Sequence, residues 1–250
     1  MIKPEVCVLK TDGINCDMEM AYAFETANAS AEIVHVNQLR DKTRGLSEFQ
    51  ALAIPGGFSY GDDVASGKIL ANELTSLLYD QLSEFADKGK PILGVCNGFQ
   101  VLVRTGLLPV RNVKEQSVTL SQNESGRFEC RWVDINLGKS ACKFIDSDNS
   151  ETEIPMQIAH GEGRFFAKSD ALGSLQDNKQ VVFRYADGNN PNGSVDDIAG
   201  ICDKTGLILG MMPHPERSVA AFHPDRSRTD LARSTANALF NNIVQFTKES

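Results

Sequence analysis

The chain lacks the long apolar runs and the excess of positive charge that mark two large protein classes. No stretch approaches the ~20 consecutive apolar residues that a helix needs to cross a membrane. The 25 Lys and Arg are outnumbered by 33 Asp and Glu, for a net charge of −8, and such a surface repels a phosphate backbone. We therefore expect neither a membrane nor a nucleic-acid partner. Hydrophobic residues make up 41% and charged residues 23%, which also excludes a disordered chain.

Paired cysteines are missing as well. The six cysteines are scattered, with no Cys-x-x-Cys pair and no Cys/His cluster at zinc spacing. The first residues lack the basic start, apolar stretch and cleavage site of a secretory signal. We expect no disulfide framework, no metal site and a cytoplasmic location.

The first hundred residues alternate β-rich runs with helical patterns, which is typical of a parallel sheet flanked by helices. Strands are predicted at 6–9, 31–36, 51–54 and 91–95, and helices at 17–29 and about 67–87. The fold class is therefore α/β. The chain shows no repeat or flexible linker, so we expect residues 1–250 to form a single domain.

The second half is richer in β pattern. Strand-like segments occur at 128–135, 154–159, 181–185, 198–202 and 207–209, and a last helix is predicted at 230–247. The β segments either extend the first sheet or form a small second one, and periodicity does not distinguish the two.

Cys96 stands in Gly94-Val95-Cys96-Asn97-Gly98, between a predicted strand and a predicted helix. This is the pattern of a nucleophile elbow with Cys in place of Ser. The turn is tight and strained, so it needs glycines on both sides. The helix that follows directs N–H groups toward the sulfur. Cys96 is therefore a candidate nucleophile, although most cytosolic cysteines are structural.

His214 and Glu216 supply the base that such a thiol needs. They lie in Pro213-His214-Pro215-Glu216-Arg217, after the last predicted strand. Glu216 is placed to hold one ring nitrogen while the other faces Cys96. The competing histidine is His160, which lies between small residues in a segment whose glycines suggest close approach to a ligand.

A loop for oxyanion stabilisation precedes the elbow. Pro55-Gly56-Gly57 ends a predicted strand, and we expect the N–H groups of Gly57 and Asn97 to face the developing charge. Nucleotide motifs fail on spacing, because Val133 stands where the glycine of a phosphate loop ending at Gly138 would be. The chain is expected to hold no cofactor of its own.

Together these segments resemble the triad (class I) glutamine amidotransferases, and among them the glutaminase components of phosphoribosylformylglycinamidine (FGAM) synthases. The matching blocks are GGFSYGD at 56–62, GVCNGFQ at 94–100, AHGEGRF at 159–165, NPNGS at 190–194 and GMMPHPER at 210–217. The resemblance extends over nearly the whole chain and implies a flavodoxin-like core with added β segments.

The resemblance also implies roles and partners. Cys96, His214 and Glu216 would form the catalytic triad, Gln100 would help to hold glutamine, and its amino-acid end would be received around Gly163, Arg164 and Phe165. Ammonia would pass to a separate synthetase subunit that uses ATP and Mg²⁺ for de novo purine biosynthesis. A small accessory subunit commonly completes the assembly.

Two segments depart from the commoner small subunits. The run after Asp62 lacks an arginine before its glycine, and residues 123–129 look more like the long single-chain enzyme. Two alternatives stay open at this point: an amidotransferase for another acceptor, and a noncatalytic α/β stress protein with an oxidisable elbow cysteine. The matching blocks around Phe58 and His160 argue against another acceptor. Protection of Cys96 by glutamine from an affinity label would argue against the noncatalytic protein.

Overall fold

The computed structural model describes residues 3–112, 116–145 and 152–249. The strands are β1 Glu5–Lys10, β2 Ser30–His35, β3 Ala51–Ile54, β4 Ile92–Val95, β5 Val118–Ser121, β6 Glu129–Leu137, β7 Ile154–His160, β8 Arg164–Ala167, β9 Val181–Tyr185, β10 Ile198–Cys202 and β11 Ile208–Met211. The helices are α1 Asp17–Thr26, α2 Val36–Arg40, α3 Lys68–Glu73, α4 Tyr79–Asp87, α5 Asn97–Arg104, α6 Ser169–Asp177, α7 Pro215–Ser218 and α8 Thr229–Glu249.

A nine-stranded sheet runs in the order β2-β1-β3-β4-β11-β10-β9-β6-β7. The pairs from β2 to β11 are parallel, and the pairs from β11 to β7 are antiparallel. The predicted α/β class is therefore confirmed as a mixed sheet flanked by helices. The five strand-like segments predicted in the second half all extend this sheet, as β6, β7, β9, β10 and β11. A separate antiparallel pair is formed by β5 and β8, which the sequence did not predict as strands.

Burial explains why the central strands read as continuous apolar runs. Every residue of β3, β4 and β11 is buried, so both faces of the sheet are covered, as parallel sheets require. Helices α1, α7 and α8 pack together as one layer, and α3 packs on α5 as another. None of the described helices is both long and apolar enough to cross a bilayer.

Most predicted elements match the structure to within a few residues, and β3 has the predicted bounds at both ends. The second half is not β throughout, however, because residues 169–177 form α6. Only one α6 side chain is fully buried, and Gly173 lowers its helix propensity. The apolar stripe that signals a helix is therefore too weak to read from the sequence.

The parallel strands determine where the functional residues meet. Because β1, β3, β4 and β11 run in the same direction, the loops after them emerge at one edge of the sheet, where α/β proteins bind their ligands. Those loops carry Cys16, Gly57, Cys96 and His214.

Candidate active site

Cys96 occupies the tight turn between β4 and α5. Its backbone is left-handed, with φ 52° and ψ −106°, a strained conformation for a residue with a side chain. The Cys96 N–H donates to the carbonyl of Met211 at 2.8 Å, which holds the turn against β11. A Cβ at Gly98 would lie 1.8 Å from the Ile54 carbonyl oxygen, and one at Gly94 would lie 2.7 Å from that of Gly98. Both glycines of the elbow are therefore required by packing.

His214 and Glu216 form a buried pair at the start of α7. Nδ1 of His214 lies 2.5 Å from Oε1 of Glu216, and the two residues are 1% and 2% exposed. Pro215 begins the helix, where its missing N–H is harmless. The His214 N–H donates to the carbonyl of Gln157 on β7 at 2.8 Å. The loop after β11 is thus anchored to β7 through the backbone of His214.

The charge environment favours the protonated imidazole. Burial lowers the pKa of His214, but the carboxylate of Glu216 and the thiols of Cys96 and Cys16 raise it, and the pKa stands well above its ordinary value. Among the described residues, Nε2 of His214 has no hydrogen-bond partner. The thiols of Cys16 and Cys96 nevertheless lie close enough to raise the pKa of the ring, so His214 is placed to exchange a proton with Cys96.

The space beside Gly56 is bordered by His214, Cys96 and Cys16. A Cβ on Gly56 would lie 2.7 Å from Cε1 of His214, 3.4 Å from Cβ of Cys96 and 3.4 Å from Sγ of Cys16. The structure thus brings together the elbow cysteine, the predicted base and the Pro-Gly-Gly loop.

Cys16 is a neighbour of the triad that sequence reasoning did not single out. It lies between β1 and α1 and is 1% exposed. Its Sγ accepts a hydrogen bond from Nη2 of Arg217 at 3.3 Å. The available signal was its position after the first parallel strand, at the edge where β3, β4 and β11 also end.

A cavity of about 280 Å³ opens onto Cys96. Its wall includes Gly57, Gln100 and His160, together with the charged side chains of Asp62, Arg127 and Glu162. The rings of Phe58 and Phe128 lie 6.0 Å apart, centroid to centroid, and both line the cavity while staying about half exposed. The cavity therefore combines both signs of charge with an aromatic rim.

Asn97 and Gln100 fix the wall beside the nucleophile. The Asn97 amide donates to Oε1 of Gln100 at 3.0 Å and to Oδ1 of Asp62 at 3.1 Å. The Gln100 amide donates to the carbonyl of Glu162 at 2.6 Å. Burial raises the pKa of Asp62, while hydrogen bonds from Gly67, Ser66 and Asn97 oppose that shift. Gln100 thus lines the cavity while its amide is hydrogen-bonded to the backbone of Glu162.

His160 is buried in the same wall. Burial and the charge of His214 lower its pKa to about 3, so the ring is neutral under ordinary conditions. The Asn123 amide donates to the carbonyls of Arg127 and His160 at 2.8 Å, which leaves its Oδ1 to accept from Nδ1 of His160 at 3.1 Å. His160 therefore carries its proton on Nδ1 and lacks the acidic partner that His214 has.

Gly163, Arg164 and Phe165 lie behind the cavity wall. The Gly163 N–H donates to Oδ1 of Asn123 at 3.0 Å, Nε of Arg164 donates to the carbonyl of Gly193 at 3.0 Å, and the Phe165 N–H donates to Oγ of Ser194 at 2.9 Å. The cavity is lined instead by the preceding residues, Ala159, His160, Gly161 and Glu162. A direct glutamine contact by residues 163–165 stays a prediction.

Comparison with known proteins agrees with this geometry. Residues 3–247 match the model of the CobB/CobQ-like glutamine amidotransferase domain. The chain thus belongs to the class of glutamine amidotransferases.

Individual relatives define the group within that class. The chain is 48% identical over 233 residues to phosphoribosylformylglycinamidine synthase subunit PurQ of Methanococcus maripaludis, covering 88% of this chain and 85% of that one. It is 39% identical to the PurQ subunit of Dehalococcoides mccartyi over the full length of both. A chain in the solved structure of PurLQS from Thermotoga maritima superposes with a TM-score of 0.77 at 31% identity, covering 98% of this chain and 99% of that one. The chain belongs to this glutamine amidotransferase family, in the group formed by the PurQ subunits.

Proposed function

We propose that the chain is the glutaminase subunit of FGAM synthase and hydrolyses glutamine to glutamate and ammonia. The observation that carries the proposal is the placement of Cys96 on a strained elbow beside His214, whose other ring nitrogen is bonded to Glu216. The full-length similarity to PurQ subunits supports the assignment to FGAM synthase rather than to another acceptor.

The reaction proceeds through a thioester. Cys96 passes its thiol proton to His214 as Sγ attacks the carbonyl carbon of the glutamine side-chain amide. The oxyanion is stabilised by the N–H groups of Gly57 and Asn97. His214 gives a proton to the departing nitrogen, so that ammonia leaves as the C–N bond breaks. His214 then takes a proton from water as the water oxygen attacks the thioester carbonyl. The C–S bond breaks, glutamate leaves, and His214 returns the proton to the Cys96 sulfur. Glu216 orients the ring throughout.

The cavity fits an amino acid that carries both charges. Arg127 lies where a carboxylate can pair with it, and Asp62 and Glu162 supply negative charge for an ammonium group. Gln100 and Asn97 keep this wall in place through their mutual bond. We propose that Gly163, Arg164 and Phe165 help to receive the amino-acid end of glutamine, next to Gly161 and Glu162 of the cavity wall.

Ammonia released in the cavity must be consumed by a second active site. We propose that a synthetase subunit with ATP and Mg²⁺ receives it, with a small accessory subunit in the same assembly. The similarity to a chain of the PurLQS structure supports this partnership. The rim formed by Phe58 and Phe128 is exposed apolar surface beside the cavity, and such surface is typical of interfaces.

The test uses Cys96→Ala in the reconstituted complex. We expect glutamine-dependent FGAM synthesis to disappear while ammonia-dependent synthesis by the partner continues, because only the nucleophile is lost. Cys130→Ala is the matched control, since Cys130 is an exposed thiol. Glutamine-dependent synthesis that survives in Cys96→Ala would overturn the triad. A wild-type chain that releases ammonia but supports no FGAM synthesis would overturn the choice of acceptor.

A further inference from the structure

Cys16 is a buried thiol beside the triad that the proposed reaction does not use. Its Sγ lies within 4.8 Å of a ring nitrogen of His214 and of a carboxylate oxygen of Glu216. A Cβ on Gly56 would lie 3.4 Å from this sulfur and 2.7 Å from Cε1 of His214. The Cys16 sulfur and the Cε1 edge of the imidazole therefore border the same small space.

Hydrogen bonds orient the Cys16 sulfur as an acceptor. Its thiol donates to Oδ1 of Asn15 at 3.4 Å, and Sγ accepts from Nη2 of Arg217 at 3.3 Å. The backbone is fixed as well, because the Cys16 N–H donates to the carbonyl of Gly56 at 3.3 Å and the Met20 N–H donates to the carbonyl of Cys16 at 3.0 Å. The thiol proton is thus directed to Asn15, and the lone pairs of the sulfur are left for the cations of the site.

The charges around His214 give that sulfur a role. The ionisable groups near the ring are Glu216 and Arg217 on α7, Cys96 on the elbow, Cys16 in the loop after β1 and His160 at the end of β7. His160 is neutral, so the carboxylate of Glu216 stands against two cations, the protonated imidazole and the guanidinium. A sulfur that accepts from the guanidinium and faces the imidazole lowers the cost of burying both charges. In agreement, burial lowers the pKa of His214, whereas Glu216, Cys96 and Cys16 raise it.

We propose that Cys16 is a positioning residue of the glutaminase site, whose sulfur holds the imidazole of His214 and the guanidinium of Arg217 in place. The cavity is lined by Cys96 and not by Cys16, so Cys16 acts through His214 rather than on glutamine. The effect of Cys16 on the reaction rests on the proposed function. Its effect on the protonation of His214 does not, and the two are measured separately.

The first experiment titrates His214 by imidazole NMR in full chains that carry Cys96→Ala, where no turnover is needed. Adding Cys16→Ala should lower the pKa of His214, because a sulfur that favours the protonated ring is removed. Adding Cys16→Val should act in the same direction; valine fills the space without lone pairs, so a folding defect of the alanine variant does not decide the outcome.

Cys7→Ala is the matched control for this titration. It removes another buried thiol, from β1, and should leave the pKa of His214 unchanged. An unchanged pKa in the folded Cys16 variants, or an equal fall in Cys7→Ala, would overturn the proposal.

The second experiment measures glutamine hydrolysis in the reconstituted complex with Cys96 intact. Cys16→Val should lower kcat by about tenfold, because a misplaced proton-transfer group slows the chemistry, while KM for glutamine stays within about twofold of the wild type. The alkaline limb of the pH profile should move to lower pH, because the ring loses its proton more readily. Cys16→Ser, whose hydroxyl can still accept from Arg217, should restore most of kcat.

A wild-type alkaline limb in Cys16→Val, or a serine variant no faster than the valine variant, contradicts the positioning role. A wild-type complex that hydrolyses no glutamine would instead overturn the proposed function, and the NMR titration would still decide whether Cys16 acts on His214.

Discussion

Nδ1 of His214 lies 2.5 Å from Oε1 of Glu216 in a region from which both side chains are closed to solvent. Little water reaches the carboxylate, so the imidazole is its main source of compensating charge. The same carboxylate raises the pKa of His214 against the opposing effect of burial. The pair therefore links protonation of His214, the proposed general acid, to the position of a single carboxylate.

Glu216→Gln tests this link. The amide keeps the shape but not the charge, so the pKa of His214 should fall, as measured by NMR titration of the imidazole. Glutamine-dependent synthesis should decrease by about 10²-fold or more, the size of a general acid–base contribution. Glu19→Gln, a change at an exposed residue of α1, is the control. A glutamine-dependent rate equal to that of the wild type would contradict the role of Glu216.

The same pair has a defined effect on stability with pH. The pKa of His214 is raised in the folded chain, so the stabilisation is fully present below the unfolded pKa of about 6.5. It is lost as pH rises through the raised folded value. In urea unfolding, the wild type should therefore lose more stability than Glu216→Gln on going from pH 6 toward alkaline pH.

The elbow and the His-Pro-Glu segment could be predicted because their signals are local. Positions 94 and 98 require glycine because a Cβ would collide with the backbone of Gly98 and Ile54, respectively. The prolines around His214 restrict one short loop. Cys16 and Asn123 stand in no such local motif. Their roles arise from the sheet order, which brings the loop after β1 to the triad, and from hydrogen bonds across 37 or 40 positions. Periodicity contains no information about such pairings.

Gly98→Ala tests the packing of the elbow. The new methyl would meet the Ile54 carbonyl oxygen at 1.8 Å. Ile54 ends the central strand β3, which cannot move away without disturbing the sheet. We expect a loss of about 3 kcal/mol or more in the free energy of unfolding, measured by urea titration.

Gly173→Ala is the matched control for that substitution. Gly173 lies within α6, and a Cβ there meets nothing within 4 Å. Its replacement should raise stability by about 0.5–1 kcal/mol, because alanine favours the helix. If the two variants unfold at the same urea concentration, the elbow glycine is not required by packing.

His160→Gln tests the neutral, buried state of the second histidine. The folded pKa is lowered to about 3, so the stabilisation is present above the unfolded pKa of about 6.5. It is lost as pH falls toward 3, because only the unfolded chain binds the proton. The free energy of unfolding should therefore depend on pH between 4 and 6 less steeply in His160→Gln than in the wild type, by about 1.4 kcal/mol per pH unit.

Glutamine at this position can still donate to Oδ1 of Asn123, so the wall of the cavity should persist. His223→Gln, a change at a partly exposed histidine packed against Trp132, is the control and should alter the slope less. A slope in His160→Gln that equals the wild-type slope would mean that His160 is protonated in the folded chain. In that case it would share the positive charge of the site with His214, and its exclusion as the catalytic acid would fail, because a charged imidazole beside Cys96 could also donate to the leaving nitrogen.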